Sequence, residues 1–198
     1  MKVIKYITLD ECEKLYYRFK ALRTGYGLRS ACLLWLSFHH GLRCAEALSL
    51  RWSSFTGNDN GNFTHVFISR AKGSIDGTHK LDEREKGDLL QLKNWYLKRN
   101  LYADSGFIAI SDNATNPFES LHSNTWRYHL KTEAQLIFGA KRAKDLTPHS
   151  LRHGCGFYLA SKGTETELIK TWLGHADIES TLIYTGKNPN TSLDFSFH

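Results

Sequence analysis

The sequence has 198 residues and a formal charge of +6, from 26 Lys and Arg against 20 Asp and Glu. That length suits one ordinary domain with a single hydrophobic core. Apolar residues at 41% and charged residues at 23% are typical of a folded globular chain and exclude general disorder. The sequence contains no run of about 18 apolar residues, which excludes a membrane-spanning helix. The excess of positive charge favours a polyanionic partner without identifying it.

The first half of the chain is predicted to be mostly helical, with one β-hairpin. Thr8 and Glu11 form a capping-box pattern at a helix start, and Gly25 and Gly27 are expected to end that helix. Alternating β-branched and aromatic residues between clusters of Asn, Asp and Gly predict the strands. Helices are expected over residues 8–23, 28–40 and 44–50, and hairpin strands over 63–71 and 78–81.

Helix signals also dominate the second half. Thr147 followed by Pro148 is a strong helix start, because Thr caps a helix and Pro is tolerated at its first position. Thr164 begins a second capping-box pattern. Helices are expected over 83–99, 123–138, 148–161, 164–172 and 177–183, and a short strand over 107–110. The predicted fold class is therefore mainly α with a small antiparallel β-sheet (α+β), in one domain over 1–186 with a short tail over 187–198.

His149 and Arg152 lie three residues apart in the first turns of a predicted helix, so both side chains leave the same face. Free backbone N–H groups and the helix dipole favour an anion at that end. A guanidinium beside an imidazole suits a phosphate with a proton to move. A solvated Arg beside a capping His is the simpler alternative.

His149 and His153 are also spaced like two zinc ligands on a helix. The residues between them include no Glu of the kind that zinc enzymes with this spacing use, and Arg152 repels a cation. The sequence therefore predicts no metal site there, and His153 is expected to be a structural residue of the helix.

Other candidates have ordinary structural explanations when taken singly. Arg43 and Glu46 could form an ordinary ion pair, and Lys72 and Lys80 could be ordinary surface charges of a hairpin. Tyr184 could be a packed residue near a helix end. The sequence order of these residues is more informative. The strings GLRCAEALSLRW, TPHSLRHGCGFYLASKG, LIKTWLGH and STLIYT follow one another along the chain.

This order resembles the tyrosine recombinase (phage integrase) family over roughly residues 5–186. The stretch ISRAKGSIDGTHKL and the overall length are most similar to the short, stand-alone recombinases that invert fimbrial promoter switches. The resemblance implies the catalytic-domain fold of these DNA breaking–rejoining enzymes, without a separate N-terminal DNA-clamping domain.

The resemblance also implies a mechanism, namely site-specific recombination through a covalent 3′-phosphotyrosyl intermediate. Tyr184 would be the nucleophile, and Arg43 and Arg152 would hold the scissile phosphate and stabilise the transition state. His149 would move the tyrosine proton, and His175 would hydrogen-bond the phosphate. No metal or cofactor is implied, because two fixed guanidiniums can do the charge work of a metal.

Two further residues take implied roles around this site. Glu46 would support the active-site arginine that precedes it by three residues. Lys72 would be the general acid that protonates the 5′-oxygen leaving group, and Lys80 is its competitor because hairpin lengths vary. The same chemistry serves inversion, integration and excision, so it does not indicate which of these three reactions the protein carries out. The alternatives are a catalytically silent DNA-binding regulator of the same fold and a type IB topoisomerase-like relaxing enzyme.

The implied partner is double-stranded DNA with inverted-repeat recombination sites, bound by a homotetramer with the help of accessory DNA-bending proteins. The implied location is the cytoplasm, on the nucleoid of a bacterium or with a phage or mobile element, without membrane contact. A basic stripe is expected to contact DNA phosphates without reading sequence. It comprises Arg127, Lys131, Lys141, Arg142 and Lys144. The tail is expected to be too short for a full docking helix, with Leu193, Phe195 and Phe197 available to fill a neighbouring pocket.

Overall fold

The computed structural model describes residues 5–57, 62–70 and 74–186. The tail over 187–198 and Lys72 lie outside these residues. The described helices are α1 Leu9–Ala21, α2 Gly25–His39, α3 Cys44–Ser49, α4 Glu83–Leu97, α5 Ser123–Ala143, α6 Pro148–Ser161, α7 Thr166–Leu173 and α8 Glu179–Thr185, and the strands are β1 Phe55–Gly57, β2 Phe63–Ile68 and β3 Gly77–Lys80. The predicted fold class, mainly α with a small antiparallel sheet, is confirmed.

Helix α2 is the centre of the main core and packs against α1, α4 and α6. It begins at Gly25 rather than at residue 28, because the Thr24 hydroxyl caps it by accepting a hydrogen bond from the Gly27 amide at 3.1 Å. Gly27 does not break the helix. A Cβ there would lie 2.4 Å from the backbone oxygen of Phe19, so this glycine allows α1 and α2 to approach closely.

The sheet has the order β1–β2–β3 and is antiparallel throughout. The predicted hairpin is confirmed, and its register places His65 opposite Lys80. The third strand is β1, which the sequence analysis did not predict. The strand expected over 107–110 is absent from the described sheet, since that segment forms only isolated bridges, from Phe107 to Arg51 and from Ile110 to Ser120.

The last three helices build the surface that bears most of the candidate site. The cap of α6 is confirmed, with the Thr147 hydroxyl accepting from the Ser150 amide at 3.3 Å. The cap predicted at Thr164 is wrong, because α7 begins two residues later, without a side-chain cap. Four buried residues of α6, α7 and α8 form a second, smaller hydrophobic cluster, Cys155, Ile169, Leu173 and Tyr184.

Within the range of α5 the backbone leaves the helical conformation at Gly139, with a φ of 78° and a ψ of 165°, so the helix end expected near residue 138 agrees with the structure, and a short second helical segment follows it. Among the described helices, none combines the length and the apolar character that crossing a bilayer requires.

Candidate active site

One buried carboxylate, that of Glu46, lies among three arginines. Its Oε1 accepts a hydrogen bond from Arg43 Nη1 at 2.7 Å, and its Oε2 accepts one from Arg70 Nη1 at 2.9 Å. Arg152 Nη1 lies 3.9 Å from the same Oε2. Burial alone would raise the pKa of Glu46, but hydrogen bonds from Arg43 and the charge of Arg70 outweigh it and lower the pKa. The ionised carboxylate therefore offsets part of a concentrated positive charge.

Arg152 is almost fully buried and is held by backbone carbonyls. Its Nη1 donates to the Gly41 oxygen at 2.6 Å and its Nη2 to the Leu173 oxygen at 2.9 Å. Burial and the neighbouring arginines lower its pKa to about 10, so the guanidinium stays charged at neutral pH. Gly41 has a φ of 60°, and a Cβ there would lie 2.2 Å from Leu173. Only glycine fits this turn, which aims its carbonyl at Arg152.

Tyr184 on α8 is 6% exposed. Its Oη lies 3.0 Å from Nδ1 of His153 on α6, and its ring stacks on His175 with centroids 6.3 Å apart. A Cβ at Gly156 would lie 2.7 Å from the tyrosine ring, so this glycine makes room for it. Burial raises the pKa of Tyr184 to about 12, which means that the hydroxyl keeps its proton until a base accepts it.

Two histidines, His153 and His175, contact this tyrosine, and a third, His149, lies against His153. His149 and His153 lie one turn apart on α6 with ring centroids 4.3 Å apart, and His175 Nδ1 lies 2.8 Å from the Thr181 hydroxyl. Burial, together with nearby positive charge, lowers the pKa of His149 and lowers those of His153 and His175 to about 4. At neutral pH all three rings are therefore neutral, and each has one ring nitrogen without a proton.

The structure brings together Arg43, Glu46, His149, Arg152, His175 and Tyr184 through these contacts and charges. It differs from expectation at His153. Sequence analysis treated this residue as structural, whereas its ring is the described partner of the Tyr184 hydroxyl. The i, i+4 spacing of His149 and His153 is the signal in the sequence that could have indicated this role.

The structure does not decide which of the two hairpin lysines is the general acid. Lys72 lies outside the described residues, and Lys80 is exposed at the end of β3. Both therefore stay predictions for the general acid. In the basic stripe, Arg142 is occupied by an ion pair with Glu11 at 2.7 Å and a hydrogen bond to the Tyr6 oxygen. The exposed members are Arg127, Lys131, Lys141 and Lys144.

Arg70 is a site residue that sequence reasoning missed. It follows β2 and its side chain is 1% exposed. Besides Glu46, it donates from Nη2 to the His40 oxygen at 3.1 Å and to the Trp172 oxygen at 2.8 Å. Its own amide donates to Asp76 at 2.6 Å. Arg70 thus joins the hairpin to the ends of α2 and α7.

The chain is similar to known proteins along nearly its whole described length. The model of the phage integrase family matches residues 5–191. The chain is 34% identical over 186 residues to the type 1 fimbriae regulatory protein FimB of Escherichia coli strain K12, covering 92% of this chain and 84% of FimB. It is 32% identical over 166 residues to FimE of the same strain, covering 82% of this chain and 76% of FimE.

A solved structure shares the fold. The XerH site-specific recombinase, bound to a palindromic difH substrate in a post-cleavage complex, matches with a TM-score of 0.72 at 23% identity. That match covers 93% of this chain and 50% of the XerH chain, so this chain spans about half of XerH. The chain belongs to the phage integrase family and is a site-specific recombinase of the tyrosine type. The resemblance inferred from the sequence is confirmed.

Proposed function

We propose that this chain cuts and rejoins double-stranded DNA with Tyr184 as the nucleophile. The observation that carries the proposal is the buried Tyr184 hydroxyl, which contacts a neutral His153 and lies within the field of Arg152 and Arg43. A nucleophile with an adjacent base and fixed cations is the arrangement that phosphoryl transfer needs.

In the proposed step, the Tyr184 oxygen attacks the scissile phosphorus and its proton passes to the pair His149–His153. Arg43 and Arg152 hold the non-bridging oxygens as negative charge builds on them. The bond from phosphorus to the 5′-oxygen breaks, and a hairpin lysine gives that oxygen its proton. The product is a 3′-phosphotyrosyl link and a free 5′-hydroxyl, and attack by another 5′-hydroxyl reverses the step.

His175 completes the site in this proposal. Its Nδ1 contacts the Thr181 hydroxyl at 2.8 Å, which fixes the ring orientation and leaves Nε2 to meet the phosphate. Glu46 accepts a hydrogen bond from Arg43 and thereby holds its guanidinium at the start of α3. His175 and Glu46 therefore fix the positions of the groups around the phosphate before negative charge develops on it.

The proposed partners follow from the chemistry and from the relatives. Recombination joins strands from two duplexes, so we propose inverted-repeat DNA sites, a homotetramer and accessory DNA-bending proteins. The exposed lysines of α5 and of the segment after it would contact backbone phosphates and give a salt-dependent affinity. This assembly would work on the nucleoid, with residues 1–186 acting as a single catalytic domain.

Covalent trapping tests the proposal. Purified protein is incubated in EDTA with nicked suicide oligonucleotides taken from the DNA around its gene and with supercoiled plasmid, then quenched with SDS. We expect an adduct that peptide mass mapping places on Tyr184. Tyr184→Phe should bind DNA without an adduct, and Tyr128→Phe, at an exposed tyrosine of α5, should behave like the wild type.

Three outcomes would contradict the proposal. An adduct formed by Tyr184→Phe would remove that residue from the role of nucleophile. Salt-sensitive binding without any adduct would favour a silent DNA-binding protein. Relaxation of every supercoiled plasmid without site preference would favour a topoisomerase-like enzyme.

A further inference from the structure

A cluster of buried histidines and carboxylates lies where α2 ends and α4 begins. His39 is the last residue of α2 and His40 follows it, while Glu85 lies in the first turn of α4. His40 and Glu85 are 0% and 1% exposed in their side chains. Their donor atoms and that of His39 all lie within 4.8 Å of one another.

The distances within the cluster are compatible with a bound metal, and one buried nitrogen lacks a hydrogen-bond partner. Glu85 Oε1 lies 3.0 Å from both His39 Nδ1 and His40 Nε2. The approach of His40 Nε2 is not aligned for hydrogen bonding, so this buried atom is left unsatisfied. Donor atoms of a tetrahedral zinc site are separated by about 3.3 Å, because each lies about 2.0 Å from the ion. The three donor atoms lie within 4.8 Å of one another, so the side chains would close in around one ion, which would give His40 Nε2 a partner.

We propose that His39, His40 and Glu85 bind a divalent transition metal of the zinc type, with Asp82 as the fourth ligand. The Asp82 carboxylate lies 3.8 Å from His39 Nδ1 and is about one third exposed. Two imidazoles and two carboxylates form a donor set that zinc accepts. His39, whose side chain is 35% exposed, gives the ion a path from solvent.

The surroundings of the cluster already orient the proposed ligands. Glu85 Oε2 accepts a hydrogen bond from the Asp82 amide at 2.8 Å, which turns Oε1 towards the histidines. His40 Nδ1 lies 3.2 Å from His79 Nδ1, a pair in which one nitrogen must donate and the other accept. Metal at His40 Nε2 leaves the proton on Nδ1 and settles this pairing. The Trp172 ring stacks on the buried His79 ring with centroids 4.0 Å apart.

The proposed role of the ion is to hold the segment that aims the active-site arginines. The His40 oxygen accepts a hydrogen bond from Arg70, and the Gly41 oxygen accepts one from Arg152. A metal on His39 and His40 would fix this turn against α4. No step of the strand-transfer chemistry passes through it, and the His149–His153 pair is not part of it.

Metal content and cobalt spectroscopy test the inference independently of activity. Protein stripped with chelator and dialysed is titrated with Zn²⁺, and with Co²⁺ to follow visible d–d absorption. We expect one equivalent of tightly bound metal per chain and a raised thermal midpoint. His39→Gln, at a half-exposed position, should fold normally and bind at least ten times more weakly. Glu85→Gln should bind more weakly still.

His149→Gln is the matched control, because it removes a histidine from the other closely spaced pair. It should bind metal like the wild type. Equal binding by wild type and His39→Gln would overturn the inference, as would loss of binding in His149→Gln alone. Failure of the wild type to bind one equivalent would overturn it as well.

Discussion

Nδ1 of His153 lies 3.0 Å from the hydroxyl of Tyr184, across a sequence separation of 31 residues. Helices α6 and α8 bring the two side chains together, and Gly156 leaves the space for the tyrosine ring between them. The hydroxyl of the proposed nucleophile therefore contacts an imidazole before any DNA is bound, and the tautomer of His153 sets which of the two groups donates. His149, one turn earlier on α6, is the next group along the same face.

The first prediction separates these two histidines. His153→Gln should lower the rate of strand cleavage about a hundredfold, since a general base contributes roughly 10²–10⁴ to such a rate. Its affinity for DNA should stay within a factor of about two, because the contact with Tyr184 is internal. Single-turnover cleavage and a binding titration measure the two effects. A larger loss of cleavage in His149→Gln than in His153→Gln would return the base to His149.

The second prediction concerns the two hairpin lysines. Lys72→Ala should lose cleavage of ordinary DNA but cut a substrate with a 5′-bridging phosphorothiolate at nearly the normal rate, because a thiolate leaves without a proton. Lys80→Ala should cut both substrates normally. Gel assays with the paired substrates measure the rescue. Rescue confined to Lys80→Ala would make Lys80 the general acid.

The third prediction tests Arg70 as a positioning residue. Arg70→Met removes the ion pair with Glu46 and the hydrogen bonds to the backbone oxygens of His40 and Trp172, and breaking a buried ion pair in this way costs about 3–5 kcal/mol. Arg127→Met, at an exposed arginine of α5, should cost less than about 0.5 kcal/mol. Urea unfolding measures both. A stability loss in Arg70→Met no greater than in the control would contradict the assignment.

Arg70→Lys extends the same test to the active site. The charge is kept, but a single ammonium cannot hold Glu46 and the carbonyls of α2 and α7 together. We expect partial recovery of stability, and slower cleavage with little change in DNA affinity. Full recovery of both stability and cleavage would show that only the charge of Arg70 matters.

The fourth prediction is an acid dependence of stability. Burial first, and then nearby arginines, lower the pKa of His175 to about 4, whereas an unfolded histidine titrates near about 6.5. Between these values the unfolded chain binds the extra proton, so the contribution of His175 to stability falls as pH drops from about 6.5 to about 4. The loss for this one group is about 1–3 kcal/mol.

Urea unfolding at several pH values measures this effect, with His175→Gln as the comparison. The variant should be less sensitive to pH over that range, because it has no proton to bind there. His39, whose pKa is raised by Glu85 despite its burial, works in the opposite direction but is present in both proteins. Identical pH profiles for the two proteins would contradict the assigned shift of His175.

Local signals in the sequence were enough to predict much of the fold. Thr147 and Pro148 alone are enough to predict where α6 begins. The alternating pattern on either side of a polar segment is enough to predict the hairpin of β2 and β3. The errors have local causes too. The cap of α2 is Thr24, whose hydroxyl competes successfully with the helix-breaking tendency of the glycines that follow. Strand β1 has three residues, too few for any pattern.

The site was predictable where its residues form recognisable strings, and unpredictable where burial decides the role. Nothing local distinguishes Arg70 from a surface arginine, since its partners lie on α2, α3 and α7. The cluster around Glu85 depends in the same way on the contact between α2 and α4. His153 differs from both, because its spacing from His149 is visible in the sequence but its partner, Tyr184, lies on another helix.

The small hydrophobic cluster of α6, α7 and α8 has a consequence for motion. Tyr184 is anchored in that cluster by only a few apolar neighbours, whereas α2 is enclosed by the main core on nearly every side. The free energy needed to open α8 locally is therefore smaller than that for unfolding the whole domain. Backbone amides of α8 should exchange with deuterium well before those of α2. Under the proposed mechanism, Tyr184 would then adjust to a bound phosphate while Arg43 and Arg152 stay in place.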